Sequence, residues 1–411
     1  MTDLKSTPIR DQKNEITLPE KEKLDTTTMV SSEIIADMKS SRSRKQVILG
    51  RFQFATLCYC FFVIGWNDGS TGPLLPRIQE VYHVNFTVVS LIFVISCIGI
   101  ITGSILNLFA SDKLGLGKIL VADLAGLRTH TASCCQNVAY LLQSLALPFP
   151  AFALSFLISG FGIAFEGAQG SGFVVALKDH TKMGLLHAFY GLGATVSPLV
   201  STQFAQLKHW SFHYLVSRKM AICLSDSGYA VPKESVDDKG SLEKIRETMK
   251  TKAVHLIAFF ILVYDGVEVT IGAWTVTYII RIRGGGPSSG YVSTGYFGGL
   301  TLGRVALLWL NQKLGESRAI LLYGILALGL QFVFWFVPSI IGNAIVVALI
   351  GFLLGPMYPL AMNHCGRILP PGIITNSIGW INAIGFTGCA LIPFMTGAIA
   401  QRWGIQSLQP L

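Results

Sequence analysis

Gly99-Ile-Ile-Thr-Gly103, followed by Lys113-Leu114-Gly115, recurs 200 positions later as Gly299-Leu-Thr-Leu-Gly303 and Lys313-Leu314-Gly315. A second block repeats at an offset of 195: Gly193, Pro198, Ala205 and Gln206 against Gly388, Pro393, Ala400 and Gln401. Identities at fixed offsets, including both glycines of a small-xxx-small pair, mark a duplication; the plainer alternative is that glycines recur because membrane helices pack through small residues. The chain is therefore read as two related halves of about 200 residues.

Composition says where such halves would live. Charged residues make up 13% of the 411 and apolar ones 51%, with 42 glycines. A soluble domain carries roughly 25% charge. The net charge of +9 comes from short basic clusters between hydrophobic runs, where positive charge orients membrane helices, and so it does not call for nucleic acid. The eight cysteines show no metal-type spacing and suggest free thiols, with no metal and no organic cofactor.

A helix crosses the hydrocarbon core with about 20 predominantly apolar residues. Runs of that kind cover 52–76, 84–111, 149–177, 183–207, 253–280, 284–312, 319–366 (two helices) and 368–401. Residues 118–147 begin as a span but carry Asp123, Arg128 and His130, and residues 210–224 are interrupted by Arg218 and Lys219. The expected fold is thus an all-α integral membrane protein, two bundles with about ten transmembrane helices and a pseudo-two-fold repeat. The expected organisation is a disordered cytoplasmic tail (1–50), an N-terminal bundle (51–217), a polar linker (218–252) and a C-terminal bundle (253–411) that lacks its last helix. The linker holds eight Lys and Arg, so the positive-inside rule wants it in the cytoplasm with the N-terminus, after an even number of spans. Four spans, with 118–147 failing to cross, are favoured over a forced crossing by 210–224.

Ionisable groups inside lipid are costly, and each is a candidate for function. Asn67 and Asp68 end an apolar stretch just before Gly69, Gly72 and Pro73; a carboxylate there can hold a proton or accept hydroxyl hydrogen bonds. Glu166 and Gln169 share a helical face among small residues, suited to a polyol or sugar. Asp265 and Glu268 lie one turn apart with Trp274 beyond them, a plausible coupling pair. His187 and Tyr190 could line a cavity, and Arg304 should pair with an acid inside the bundle. Asn363 and His364 read as residues near a helix end, and Trp380 and Asn382 are weaker candidates. Each has a plainer structural reading, as a helix cap, an interhelical hydrogen bond or a packing residue. Asn85-Phe-Thr87 is an N-glycosylation sequon in the loop after the first span. Gly286-Pro-Ser288-Ser-Gly290 fits a serine-hydrolase string but sits between two membrane runs, with no strand-turn-helix elbow, so no enzyme is expected.

The loop Asp112-Lys113-Leu-Gly115-Leu-Gly117-Lys118 resembles the signature between helices two and three of the major facilitator superfamily, with Lys where Arg is usual. Four further segments resemble its fungal members related to sugar permeases and fucose-proton symporters. They are Gly65-Trp-Asn67-Asp68, Phe161-Gly-Ile-Ala-Phe-Glu166-Gly-Ala-Gln169, Gly298-Gly299-Leu-Thr-Leu-Gly303-Arg304 and Gly355-Pro356-Met-Tyr358-Pro359. The resemblance covers residues 50–217 and 253–405. It implies twelve helices in two halves, of which the sixth and twelfth are essentially absent here, while the third carries about ten extra residues. It also implies an acid in helix four six residues before a Phe; here Glu166 is seven before Phe173, a rotation of about 100°.

The function this implies is secondary active transport of a small polar, sugar-like solute coupled to protons, in the plasma membrane or an endomembrane. Its partners would be the bilayer, the solute and the proton, with no nucleic acid. The competing expectation is a non-transporting membrane protein, a sensor or an inactive remnant.

Overall fold

The computed structural model describes residues 44–113, 134–176, 180–225, 241–370 and 373–408. The chain divides into two units, residues 1–54 and Ala55–Leu411. In the first, the described part is the opening of helix α1; the expected tail and the loop residues Gly115 and Lys118 lie outside the described residues, as do the side chains of Asp112, Lys113 and Gln169. Everything else belongs to the second unit.

Among the described residues the regular structure is all helical. The N-terminal half contains α1 (Arg44–Tyr82), α2 (Phe86–Lys113), α3 (134–144 in its described part), α4 (Phe149–Ala176), α5 (His180–Ala205) and α6 (His213–Ser225). A short helix, α7 (Ser241–Lys250), leads into the C-terminal half. That half contains α8 (Lys252–Arg283), α9 (Tyr291–Ala306), α10 (Leu308–Leu314), α11 (Glu316–Phe336), α12 (Ile340–Leu354), α13 (Met357–Ile368) and α14 (Ile374–Trp403). Among the described residues, five stretches are long and apolar enough to cross a membrane: Phe86–Leu106, Lys252–Arg283, Glu316–Phe336, Ile340–Ile368 and Ser377–Trp403. At 39, 28 and 26 residues, α1, α4 and α5 also exceed the length a bilayer requires.

The duplication seen in the sequence is a duplication of contacts. Gly99 and Gly103 bring α2 against the backbone of Leu157 and Phe161 on α4, and their counterparts Gly299 and Gly303 bring α9 against Ala348 and Phe352 on α12. In both pairs the numbers rise together, so the helices run parallel. Gly193 seats α5 on the Phe62 carbonyl of α1, and its counterpart Gly388 seats α14 on the Leu262 carbonyl of α8. Wherever a glycine faces a neighbouring carbonyl, a Cβ would occupy the same space. The duplicated glycines are therefore the points of closest helix approach.

The two segments that are doubtful as spans both pack into the N-terminal half. The described part of 118–147 packs inside the bundle, with Gln136, Ala139, Tyr140 and Gln143 buried. Residues 210–225 also fold inward. A 3-10 turn at Trp210–Phe212 opens into α6, which runs through Arg218 and Lys219 to Ser225. Three contacts fix its direction: Tyr59 donates to the Met220 carbonyl (3.2 Å), Trp66 Nε1 to Ser217 Oγ (2.9 Å), and Ser70 Oγ meets His213 Nε2 (2.8 Å). As α1 ascends α6 descends, so they are antiparallel. The charges do not stop the helix because Lys219 is exposed and the inward face belongs to His213, Tyr214 and Ser217. Thirteen residues rise only about 20 Å, short of a full bilayer.

The halves meet across α1 and α8, α2 and α14, and α5 and α9. Gly72 of α1 abuts the Gly272 carbonyl of α8, and Gly397 of α14 abuts Phe86 and Ser90 of α2. Gly290, just before α9, abuts Thr202 of α5. Two hydrogen bonds close the same end: the Phe86 backbone N–H donates to Gln401 Oε1 (3.1 Å), and Gln203 Nε2 donates to Tyr291 Oη. All lie toward the end at which α1, α5, α8 and α14 finish, which is therefore sealed.

Glycines at carbonyl contacts should not tolerate side chains. Gly303→Val forces α9 away from Phe352 and should cost roughly 1–3 kcal/mol or more, whereas Gly329→Val on α11 meets nothing within 4 Å. Thermal unfolding in detergent should show a clear loss of Tm for the first and little change for the second; equal effects would contradict the packing scheme.

Candidate functional site

The polar groups scattered through apolar runs converge where the halves face each other. On α1, Asp68 accepts a hydrogen bond from Tyr190 Oη of α5 at 2.8 Å and a second from Asn67. Gly65 and Gly69 permit this by letting α1 settle onto the backbone of Tyr190 and Ala194. Across the divide, Arg304 of α9 stands with its guanidinium 5.9 Å from the centre of the Tyr190 ring, a cation–π distance. The same guanidinium lies 3.8 Å from Glu268 of α8 and donates through Nε to the Gly355 carbonyl at 3.3 Å. Glu268 is held from behind by the Tyr264 hydroxyl, itself 3.1 Å from the Leu354 carbonyl, and Tyr296 donates to the Glu268 carbonyl at 3.0 Å.

The result is one continuous polar line, Asp68 to Tyr190 to Arg304 to Glu268 to Tyr264, that begins in one half and ends in the other. Asp68 is exposed although protein surrounds it, while Glu268 and Arg304 keep 15% and 19% of their side-chain surface accessible. Groups that are enclosed yet reachable line a cavity. Its chemistry suits a polar solute: carboxylates to accept hydroxyl protons, a guanidinium to donate, and tyrosine rings to pack on apolar faces.

Asp265 and Glu268, one turn apart, stay within electrostatic reach of each other but have different neighbours. Asp265 turns toward Gly385 of α14 while Glu268 turns toward α9, though each remains within electrostatic reach of Arg304. His187 packs edge-on against Phe61 at 5.9 Å, near enough to sense the Arg304 charge. Trp274 is not part of this cluster. It is 1% exposed, donates to the Pro393 carbonyl at 3.2 Å and packs against Phe86, tying helices near the sealed end. Glu166 is also apart: 5% exposed, it lies inside the N-terminal half near Cys60, Cys135 and Tyr140. Asn85 caps α2, its Oδ1 accepting from the Val88 N–H at 2.8 Å, and is exposed. His364 joins Arg367 around Glu316, at 3.4 and 3.2 Å, away from the cavity line. The string at 286–290 is a 3-10 turn between α8 and α9.

Sequence reasoning missed Tyr264, Tyr296 and Tyr358, the last donating to Asn382 Oδ1 at 2.9 Å. Tyr264 stands one turn from Glu268, and that spacing was the available signal.

The two-bundle geometry has a counterpart among known proteins. Residues 57–393 match the family model of the Major Facilitator Superfamily. The chain belongs to that superfamily. This makes it an integral, multi-pass membrane protein of the transporter type. Among curated relatives, it is 25% identical over 403 residues to Bypass of stop codon protein 6 of Saccharomyces cerevisiae, covering 88% of this chain and 79% of that protein. It is 22% identical over 359 residues to the glucose/mannose transporter GlcP of Bacillus subtilis, covering 82% and 85%. Among solved structures, a D-xylose-proton symporter superimposes with a TM-score of 0.69 at 11% identity, over 87% of this superfamily member and 94% of the other chain. The nucleoside transporter NupG gives 0.68 at 13% identity, over 87% and 95%. The Escherichia coli fucose:proton symporter gives 0.58 at 15%, over 87% and 94%. At these identities the structures establish the fold alone.

Arg304 and Glu268 are partners in the structure and should behave as such energetically. Arg304→Met and Glu268→Gln should each lower Tm, and the double variant should lose less than their sum, with a coupling of roughly 0.5–3 kcal/mol. A strictly additive cycle in purified protein would remove the pair from the line.

Proposed function

We propose that this protein carries a small polar, sugar-like solute together with a proton, by alternating access of its two helix bundles. The observation that carries the reading is the polar line from Asp68 to Glu268. This line contains charged groups from both halves, so rocking of one half against the other must make or break it. Asp68 is the proton group in this scheme. When ionised it accepts from Tyr190 and Asn67; when protonated it releases one of those donors, and Tyr190 is freed to move relative to Arg304. The solute is bound by Tyr190, Arg304 and Glu268 beside Asp68, with Asp265 and His187 at the margin, and Asn382 with Tyr358 beside them. Glu166 serves the proton from within the N-terminal half.

The sugar-like substrate is supported by the glucose/mannose transporter among the relatives and by the xylose and fucose proton symporters among the structures of like fold. The proposed orientation places the N-terminus and linker in the cytoplasm of the plasma membrane or an endomembrane, as their positive charge favours. The sealed end then faces outward or into a lumen, and Asn85 becomes a glycosylation site there. The return of α6 from the sealed end supports this orientation, since it carries the chain back toward the linker. The N-terminal bundle (51–217, extended by α6 to Ser225) and the C-terminal bundle (253–411) are the rocking bodies.

Cells expressing the protein should accumulate labelled hexoses or polyols against a gradient when the outside is acidic. Asp68→Asn should abolish accumulation by tenfold or more while leaving solute exchange at equilibrium in place. Surface-expressed protein with no uptake of any such solute would overturn the transport reading; accumulation unchanged by Asp68→Asn would overturn the proton assignment.

A further inference from the structure

The interior of the N-terminal half carries an unusual set of polar atoms. On α3, Gln136, Tyr140 and Gln143 follow one another at helical spacing on the inward face and are 1%, 1% and 0% exposed. Gln136 is satisfied, accepting from Ser159 Oγ of α4 at 3.0 Å. The next groups along the stripe are not. Among the described residues, Tyr140 Oη, both amide atoms of Gln143 and both carboxyl oxygens of Glu166 are buried without a partner, as is Nδ1 of His213, itself 0% exposed.

These groups are neighbours. Tyr140 lies within electrostatic reach of Glu166 on α4, Asp68 on α1 and Tyr214 on α6. His213, next to Tyr214, joins Ser70 of α1 through Nε2 at 2.8 Å. The stripe on α3 is therefore a polar column bounded by α1, α4 and α6, with Glu166 on one flank and the Asp68 turn of α1 on the other.

A buried polar atom that loses water and gains nothing is strongly destabilising, and six in one half-bundle would be difficult for a marginally stable chain to sustain. Buried water, which makes two to four hydrogen bonds to groups of this kind, is the usual remedy. Among the described residues, α1, α3, α4 and α6 border the column.

We propose that ordered water molecules fill this column along Gln143, Tyr140 and Glu166, and that they connect the Glu166 carboxyl to Asp68 at the cavity. A proton leaving one carboxyl arrives on the other by exchange along the waters, whose number and charge are unchanged. Tyr140 is a positioning residue here: its hydroxyl orients the water and need not itself ionise. The connecting role rests on the proton-coupled reading above; the presence of the water does not.

Radiolytic hydroxyl labelling of the full-length protein in detergent, read by mass spectrometry, reports water held beside a side chain. Tyr140 should label several-fold faster than Tyr323, which is equally buried at 1% but bonded to Asn311 Oδ1 at 2.6 Å. Equal rates would overturn the hydrated column. Gln143→Leu supplies a second readout: it should lower Tm if it strands water, and an unchanged or raised Tm would show that the amide had been dry. Tyr140→Phe should then reduce proton-driven accumulation several-fold while sparing equilibrium exchange; unaltered accumulation would overturn the connection to Asp68. If the native protein accumulates nothing, the transport reading fails, and the labelling and Tm results still decide the water.

Discussion

Close approach of helix backbones is the constraint from which the rest of this architecture follows. Inside lipid there is little hydrophobic gain in bringing two apolar helices together, so contact depends on fit. Gly65 and Gly69 let α1 lie on α5, and Gly193 completes the same seam from the other side. That seam sets Tyr190 opposite Asp68. A separate seam, of α9 and α12, made by Gly299, Gly303, Gly351 and Gly355, sets Arg304 beside the Gly355 carbonyl and within reach of Glu268. The polar line across the cavity is thus a consequence of where side chains are missing.

The two halves also close on each other by the same device used twice. The last turns of α14 hold the start of α2 through Gln401 and Gly397, and the last turns of α5 hold the start of α9 through Gln203 and Gly290. Each half supplies one gripping helix and one gripped helix, as a pseudo-two-fold arrangement requires. Phe86 and Trp274 add an aromatic contact, with ring centres 5.8 Å apart, between them.

Much of this was legible from residues alone, for identifiable reasons. The duplicated halves could be read because the glycines at the contacts are the residues that recur, and sequence identity there has a steric cause. Asp68, Tyr190, Glu268 and Arg304 stood out because most of them are charges within apolar runs. Tyr264 and Tyr296 did not, since an aromatic residue in such a run has the pattern of a core residue and its hydroxyl partner is set by rotation of the helix. Trp274 illustrates the same ambiguity from the other side, spaced like a cavity residue but turned into the packing. The inward course of α6 was not legible because its anchors, Tyr59, Trp66 and Ser70, lie about 150 residues away, and only the fold brings Met220, Ser217 and His213 to them. Glu166 could be recognised as a buried acid, but which neighbour it faces depends on how α3 enters the bundle.

The grip at the sealed end is made by amides, a phenol and a backbone N–H. The ion pairs formed by Arg77, Glu268, Arg304 and Glu316 each stay within one half. Dissolved ions weaken attraction between exposed charges but act little on neutral hydrogen bonds and steric contact. The strength of this closure is accordingly set by fit and not by the ionic composition on that face of the membrane, since the described contacts that make it carry no formal charge.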